Sequence, residues 1–208
     1  MNFHEAFDSP TADVIVRSSD GVHFRVHRLI LSEASPVFAD MFTLPKRSTD
    51  TKVLPVVQLS EDGETLEGIL RVCYPTKGMR FTDLGLLRKV MVAVEKYMAG
   101  DALETLGEAL MNHTLLEREP VRAYALACQF RLRGAAVAAA KASLKHSLSV
   151  SPSPELEEAS AQAYNDLMRY RVQCIAVIDR WSMEAVMTDT SVWAGAQYRN
   201  LTCYVSRM

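Results

Sequence analysis

The chain lacks every short motif that usually marks a catalytic site. No Walker loop, G-x-G-x-x-G fingerprint, H-E-x-x-H zinc motif or G-x-S-x-G nucleophile elbow occurs in its 208 residues. Each of these motifs supplies the backbone geometry or the side chains that one kind of chemistry needs, so their absence removes the common nucleotide-dependent, dehydrogenase and hydrolase classes. We therefore predict a protein without enzymatic activity.

Cysteine is scarce and unpaired in the sequence. The four cysteines are scattered along the chain with no C-x-x-C spacing, at Cys73, Cys128, Cys174 and Cys203. This spacing argues against a zinc site or a dithiol redox site, and the first three fall on apolar faces of predicted helices, where free thiols commonly pack. Of the five histidines only His23 and His27 are close together. No nearby Cys or Glu completes a ligand set, so we predict neither a metal nor a cofactor.

The sequence has neither a marked charge imbalance nor a long apolar run. Its formal net charge is -2 and its pI is about 6.2. Such a balance gives no overall attraction to phosphate backbones, so we predict no nucleic-acid partner. No apolar stretch reaches the roughly 18–20 residues that span a bilayer, and the N-terminus lacks the basic and apolar regions of a signal peptide. We expect no membrane association and a cytoplasmic or nuclear location.

A β-hairpin pattern followed by short helices is present near the N-terminus. Val14 and Val16 alternate with their neighbours, and a second alternating run follows at residues 22–26. Asp20-Gly21 lies between the two runs, and both residue types tolerate the positive φ angles of a tight turn. Ser35-Pro36 then predicts a helix start, because the Ser oxygen can accept from a free backbone N–H and Pro suits the first helical position.

These residues resemble the signature of the BTB/POZ domain family. The matching positions, at the spacing of the family, are Asp13-Val14, Phe24, His27-Arg28, Leu31, Ser35, Phe38, Met41 and Phe42. The resemblance continues more loosely to about Met111. It implies a noncatalytic protein-interaction module that mediates homo- or hetero-oligomerisation and recruits partners, and it makes His27 a structural residue where the hairpin meets the first helix.

The rest of the first half is predicted to contain one more strand and further helices. The strand covers Val53 to Leu59, where Pro55 suits a strand start or a sheet edge. Helices are predicted to begin after the capping residues Asp62, Asp83 and Asp101. Steric restriction at Tyr74-Pro75 ends the first of these helices, and a left-handed cap at Gly100 ends the second.

The second half is predicted to be entirely helical. Pro120 begins a helix, Gly134 separates it from an Ala-rich helix, and together they predict a helical hairpin. This region, up to Ser147, resembles helices that follow BTB domains in fungal proteins. The Ser- and Pro-rich segment SLSVSPSPE predicts a linker, and Ser160 caps the next helix. Residues 187–208 receive no assignment.

Together these patterns predict an α+β protein with two regions. Residues 1–115 are expected to form a BTB/POZ fold, a small mixed sheet flanked by a helical cluster, and residues 116–208 a helical C-terminal extension. The hydrophobic content of 49% is enough for a sizeable core.

The resemblance also nominates partner-binding residues. In some BTB dimers an acidic and a basic residue line a charged groove that recruits transcriptional corepressors, and Asp13 and Arg28 match them. We predict instead an ion pair that fixes the first strand to the first helix, with the recruiting groove as the alternative. A homodimer requires about 1,000 Å² of buried surface with an apolar centre. Candidates for that centre are Leu29, Ile30, Phe38, Met41 and Phe42.

Two narrower functions follow from the family, and a third hypothesis comes from another class. A cullin ubiquitin-ligase adaptor needs a hydrophobic-x-Glu motif after the Met-Phe helix; here Leu44 supplies the apolar residue, but Lys46 stands where the carboxylate belongs, which inverts charge complementarity. A transcriptional regulator would need a DNA-binding segment, which this sequence does not contain.

The segment before Asp13 is too short for the exchanged helix and strand of some BTB dimers. A cysteine-dependent enzyme would use Cys128 or Cys174.

Overall fold

The computed structural model describes residues 3–43, 54–74, 80–146 and 154–188, with side chains up to residue 181. The chain divides into two compact units, Met1–Leu110 and Met111–Met208. We call them the N-terminal unit and the C-terminal unit and describe each by itself. None of the described helices is long and apolar enough to cross a bilayer.

The N-terminal unit contains a four-stranded mixed sheet. Its strands are β1 (Phe3–Asp8), β2 (Val14–Arg17), β3 (His23–Val26) and β4 (Val56–Gln58), in the order β1-β3-β2-β4. β2 and β3 form an antiparallel hairpin, whereas β1 pairs parallel with β3 and β4 pairs parallel with β2. The predicted hairpin is confirmed. The third predicted strand is present but shorter than expected, and Val53 lies outside the described residues.

β1 is an element that the sequence did not predict. The segment before Asp13 was judged too short for an exchanged strand, yet it forms a strand that pairs within its own chain. Phe7 holds it in place, since this side chain is 6% exposed and its ring packs edge-on against those of Phe24 and Tyr74. The polar residues between the phenylalanines of β1 obscure the alternation that would have indicated a strand.

The described residues of the N-terminal unit also form five helices. They are α1 (Arg28–Ala34), α2 (Pro36–Thr43), α3 (Gly63–Cys73), α4 (Leu84–Lys96) and α5 (Gly100–Leu110). Three of the predicted caps are confirmed: Ser35 accepts from the Phe38 N–H at 3.1 Å, Asp62 from the Thr65 N–H at 2.8 Å, and Asp83 from the Leu86 N–H at 2.7 Å.

Two predictions about the junction of α4 and α5 are wrong. Gly100 does not cap α4 but is the first residue of α5, and the left-handed residue is Met98, with φ 53°. Asp101 therefore lies inside the first turn of α5 and does not begin a capping box. The Ala99 N–H donates to the Val94 carbonyl at 3.0 Å, which closes the end of α4.

The core of the N-terminal unit lies between the sheet and the helices. Phe38 is fully buried there and stacks on the Tyr97 ring with centroids 4.6 Å apart. Phe38 is therefore a core residue and is unavailable to a dimer surface. The other large, fully buried side chains of this unit are Phe24, Leu31, Leu66, Ile69, Leu70, Leu84, Leu87, Met91, Leu106 and Leu110.

The C-terminal unit is helical in its described residues. Its helices are α6 (His113–Arg118), α7 (Pro120–Gln129), α8 (Arg133–Ser143), α9 (Pro154–Glu158) and α10 (Ala161–Thr188). α7 and α8 pack together as the predicted hairpin, through small side chains that permit close approach: Ala123, Ala127, Ala135 and Ala139. Ser160 accepts from the Ala163 N–H at 3.1 Å and caps α10, as predicted.

The turn between α7 and α8 differs from the prediction. Gly134 lies inside α8, and the residue with positive φ is Arg131, at 56°. The Leu132 N–H donates to the Ala127 carbonyl at 2.8 Å and so satisfies the end of α7. Of the predicted linker SLSVSPSPE, residues 147–153 lie outside the described residues, whereas Pro154 and Glu155 begin α9 and are not part of a linker.

Candidate protein-interaction surface

Asp13 and Arg28 meet, but not as the predicted ion pair. The Asp13 carboxylate accepts from the backbone N–H of Arg28 at 2.8 Å, at the first turn of α1. The guanidinium of Arg28 instead lies 5.9 Å from the centroid of the Phe42 ring, in a cation–π arrangement. The carboxylate thus fastens the start of β2 to α1 through the backbone, so its main effect is structural.

His27 has the structural role that was expected of it. Its Nε2 lies 3.0 Å from the Thr11 hydroxyl, and its backbone N–H donates to the Tyr74 hydroxyl at 2.7 Å. Burial raises the pKa of Tyr74, so the phenol oxygen that accepts this bond is uncharged at neutral pH. In the part of the chain that the structure describes, no group of His, Cys, Asp and Glu is placed to hold a metal ion.

Leu29 and Ile30 line an open groove in the N-terminal unit. Leu29 is 71% exposed although it lies on a packed helix, and Ile30 is half-buried beside it. The groove has a volume of about 520 Å³ and lies between α1, the end of α3 and the start of α5. We call it the α1 groove and define it by Leu29, Ile30, Glu33, Val72, Cys73 and Asp101.

The α1 groove combines an apolar floor with an acidic rim. Glu33 and Asp101 are exposed at its edge, and neither has an ion-pair partner within the described residues. Val72 and Cys73 form part of the floor, and burial raises the pKa of the Cys73 thiol to about 11. A thiol with such a pKa carries almost no thiolate at neutral pH, so Cys73 contributes packing and not nucleophilic reactivity.

The remaining nominated residues have different surroundings. Met41 and Phe42 are half-buried, and the Phe42 ring stacks on Phe38 with centroids 6.1 Å apart, so Phe42 serves partly as cover for the core. Leu44 and Lys46, and with them the cullin motif, lie outside the described residues. The structure therefore assembles only Leu29 and Ile30 from the nominated set into one open surface.

Cys128, one of the two thiols nominated for catalysis, lacks the depressed pKa of an activated nucleophile. Cys73, Cys128 and Cys174 are free and half-buried, in accord with the packing role expected of them. Burial raises the pKa of Cys128, against the lowering effect of a hydrogen bond with the Tyr124 side chain. Cys203 lies outside the described residues.

The mixed sheet, the helices that flank it and the open α1 groove are the features of a protein-interaction domain. The BTB/POZ domain family model matches residues 3–114, more than half of the chain, and the chain belongs to this family. BTB domains are generally noncatalytic, bind protein partners and self-associate.

A solved structure similar to part of the chain is the BTB domain of zebrafish PATZ1. It shares 20% sequence identity over 48% of this chain and 75% of that chain, with a TM-score of 0.38. No curated protein matches the sequence.

Proposed function

We propose that this protein is a noncatalytic interaction module that self-associates through the α1 groove. The observation that carries the proposal is the 71% exposure of Leu29 at the edge of the groove. A two-fold pair of copies would place Leu29 of each against the apolar floor of the other, because the same surface offers both the projecting side chain and the recess. The family's general tendency to self-associate supports this arrangement.

The mass of the full chain in solution tests the proposal. We expect Leu29→Asp to halve the mass measured by light scattering at tens of micromolar, because it buries an unpaired carboxylate in the apolar centre of the pair. Folding should survive, since Leu29 is exposed and an acidic residue is favourable in the first turn of a helix.

Val92→Asp is the matched control for this experiment. Val92 is also an exposed apolar residue of the N-terminal unit, at 41%, but it lies on α4 and does not line the groove. It should leave the mass unchanged. A single-chain mass for the unmodified protein, or an equal effect of the two substitutions, would contradict the proposal.

The acidic rim favours a second candidate, recruitment of a different protein through a basic and apolar segment. Glu33 and Asp101 would attract such a segment, whereas they would repel each other across a self-associated pair. The salt dependence therefore separates the two candidates. Added salt should strengthen self-association by screening the repulsion and should weaken binding of a basic partner.

The narrower family functions stay predictions. If the chain is a cullin adaptor, Lys46→Glu should strengthen recovery of the cullin in a pull-down, because it restores a carboxylate. A transcriptional regulator would release reporter repression when Asp13 or Arg28 is substituted without loss of folding. For the domain boundary, we propose that residues 1–115 fold as the module, which cooperative unfolding of that fragment would test.

A further inference from the structure

One side of α10 is apolar along much of its length, but only its first part is covered. Four side chains of α10 lie on one face of the helix, because they are spaced seven, four and three residues apart: Leu167, Cys174, Ile178 and Trp181. Leu167 is 1% exposed, whereas Ile178 is 59% and Trp181 72% exposed. The face that is buried at the start of α10 therefore continues outward uncovered. We call the residues Leu167, Cys174, Ile178 and Trp181 the α10 stripe.

The same unit also contains an open apolar pocket. It has a volume of about 330 Å³ and lies between α7, α9 and the start of α10. Its lining is mainly apolar and aromatic and includes Val121, Tyr124, Leu156, Ala163, Tyr164 and Leu167. We call it the tyrosine pocket. Its volume is at the lower end of pockets that accept small molecules, which also suits one large side chain.

We propose that a second copy of this chain covers the exposed end of the α10 stripe, with the two α10 helices antiparallel and Trp181 of each inserted into the tyrosine pocket of the other. The spacing along α10 supports this geometry. Ala163 in the pocket and Trp181 are 18 residues apart, which is about five helical turns or roughly 27 Å, so both lie on the same side of the helix. An antiparallel pair centred between them places each Trp181 opposite the partner's Ala163.

Self-pairing is favoured over a different partner because both complementary parts belong to one unit. A projecting indole and a recess on the same helix face satisfy a two-fold interface, in which the same contact is made twice. Two inserted indole rings would bury about 300–500 Å². The neighbouring exposed side chains, Val177 at 54% and Ile178, extend this area toward the roughly 1,000 Å² of a specific interface.

Tryptophan fluorescence of the full chain tests the proposal directly. The sequence has two tryptophans, Trp181 and Trp193, so Trp193→Phe leaves Trp181 as the single reporter. Adding Leu29→Asp removes association through the α1 groove. We expect the emission of Trp181 to shift to shorter wavelength as the protein concentration rises from below one to tens of micromolar, because the indole leaves water.

Two variants in this background locate the contact. Tyr164→Asp, at a position that is 39% exposed in the pocket, should abolish the concentration-dependent shift. Val137→Asp, on α8 and 48% exposed but outside the pocket, should retain it. Trp181→Ala should weaken association measured by light scattering by at least about 30-fold, as expected for a central aromatic anchor.

Three results would overturn the proposal. Emission typical of a solvated indole at every concentration would show that nothing covers Trp181. A short-wavelength emission that does not change with concentration would show that the chain covers Trp181 itself. A shift that survives Tyr164→Asp would place the indole outside the tyrosine pocket.

Discussion

Replacing Gly68 by Ala tests how closely α3 and α4 approach each other. Gly68 lies inside α3, where Ala is normally favoured by about 1 kcal/mol. A Cβ atom at this position would, however, lie 2.5 Å from Cγ2 and 3.3 Å from Cγ1 of Val90 on α4. Val90 is fully buried and its branched side chain is stiff, so it cannot turn aside at little cost.

The gain in helix propensity stabilises the protein and the overlap with Val90 destabilises it, and we expect the overlap to be the larger of the two. Overpacking a core costs about 1–3 kcal/mol, so Gly68→Ala should lower the free energy of unfolding by up to about 2 kcal/mol after the gain in helix propensity. Val90→Ala alone should lower it by about 2–3 kcal/mol, through lost burial and the cavity that remains. In that background the new methyl group has room, and Gly68→Ala should become stabilising by up to about 1 kcal/mol.

Urea unfolding followed by circular dichroism measures this change in the sign of the Gly68→Ala effect. The four proteins to compare are the unmodified chain, the two single variants Gly68→Ala and Val90→Ala, and the double variant. Gly100→Ala is the control in the same unit, because a Cβ at Gly100 would meet no atom within 4 Å. This control should leave the stability unchanged or slightly raised. If Gly68→Ala stabilises the protein in both backgrounds, the close approach of α3 and α4 is wrong.

Three further predictions concern charged and thiol groups. Glu155 is 1% exposed and accepts hydrogen bonds from Nε and Nη2 of Arg122, both at 2.9 Å. Glu155→Gln removes the negative charge of this buried ion pair, so it should lower the free energy of unfolding, measured by chemical denaturation, by about 2 kcal/mol. Hydrogen bonds from Thr65 lower the pKa of Asp62, so protonation of Asp62 favours the unfolded chain. The contribution of Asp62 to the free energy of unfolding is therefore complete above about pH 3.9 and is lost as the pH falls through the folded-state pKa. Asp62→Asn should remove this loss from unfolding curves measured over a series of pH values. Burial raises the pKa of Cys73 to about 11, so iodoacetamide should label this thiol slowly at pH 7.5 and much faster in denaturant.

Helix starts could be predicted from the sequence because their signals are local. Asp62, Asp83 and Ser160 each accept a hydrogen bond from a backbone N–H in the first turn of the helix that follows. The side chain and the N–H are at most three residues apart, so no tertiary contact is needed to bring them together. The same locality explains why the β2–β3 hairpin was predicted correctly.

Helix ends were less predictable than helix starts, because we expected a glycine in the left-handed backbone conformation that often ends a helix. Met98 and Arg131 occupy this conformation instead, at a penalty of roughly 1–2 kcal/mol for a residue with a side chain. In both cases a backbone N–H one residue later reaches a carbonyl five residues back, from Ala99 to Val94 and from Leu132 to Ala127. These bonds satisfy the helix ends and offset the penalty, and composition alone does not reveal them.

The α1 groove could be predicted only in part, because it is assembled from distant segments. Leu29 and Ile30 were nominated as candidates for the apolar centre of a homodimer, but Glu33, Val72 and Asp101 were not nominated. The groove is lined by residues of α1, α3 and α5, which are far apart in the sequence. Periodicity shows which face of a helix is apolar, but it does not show which three helix ends share one recess.

The α1 groove and the α10 stripe together predict a specific series of masses. Each surface pairs with its own copy around a two-fold axis, so a chain with both surfaces forms assemblies of four or more chains unless the two axes coincide. Leu29→Asp and Trp181→Ala each remove one pairing and should both give two-chain particles by light scattering. The double variant should have the 23.2 kDa mass of one chain. If either single variant already gives that mass, the other surface does not pair on its own.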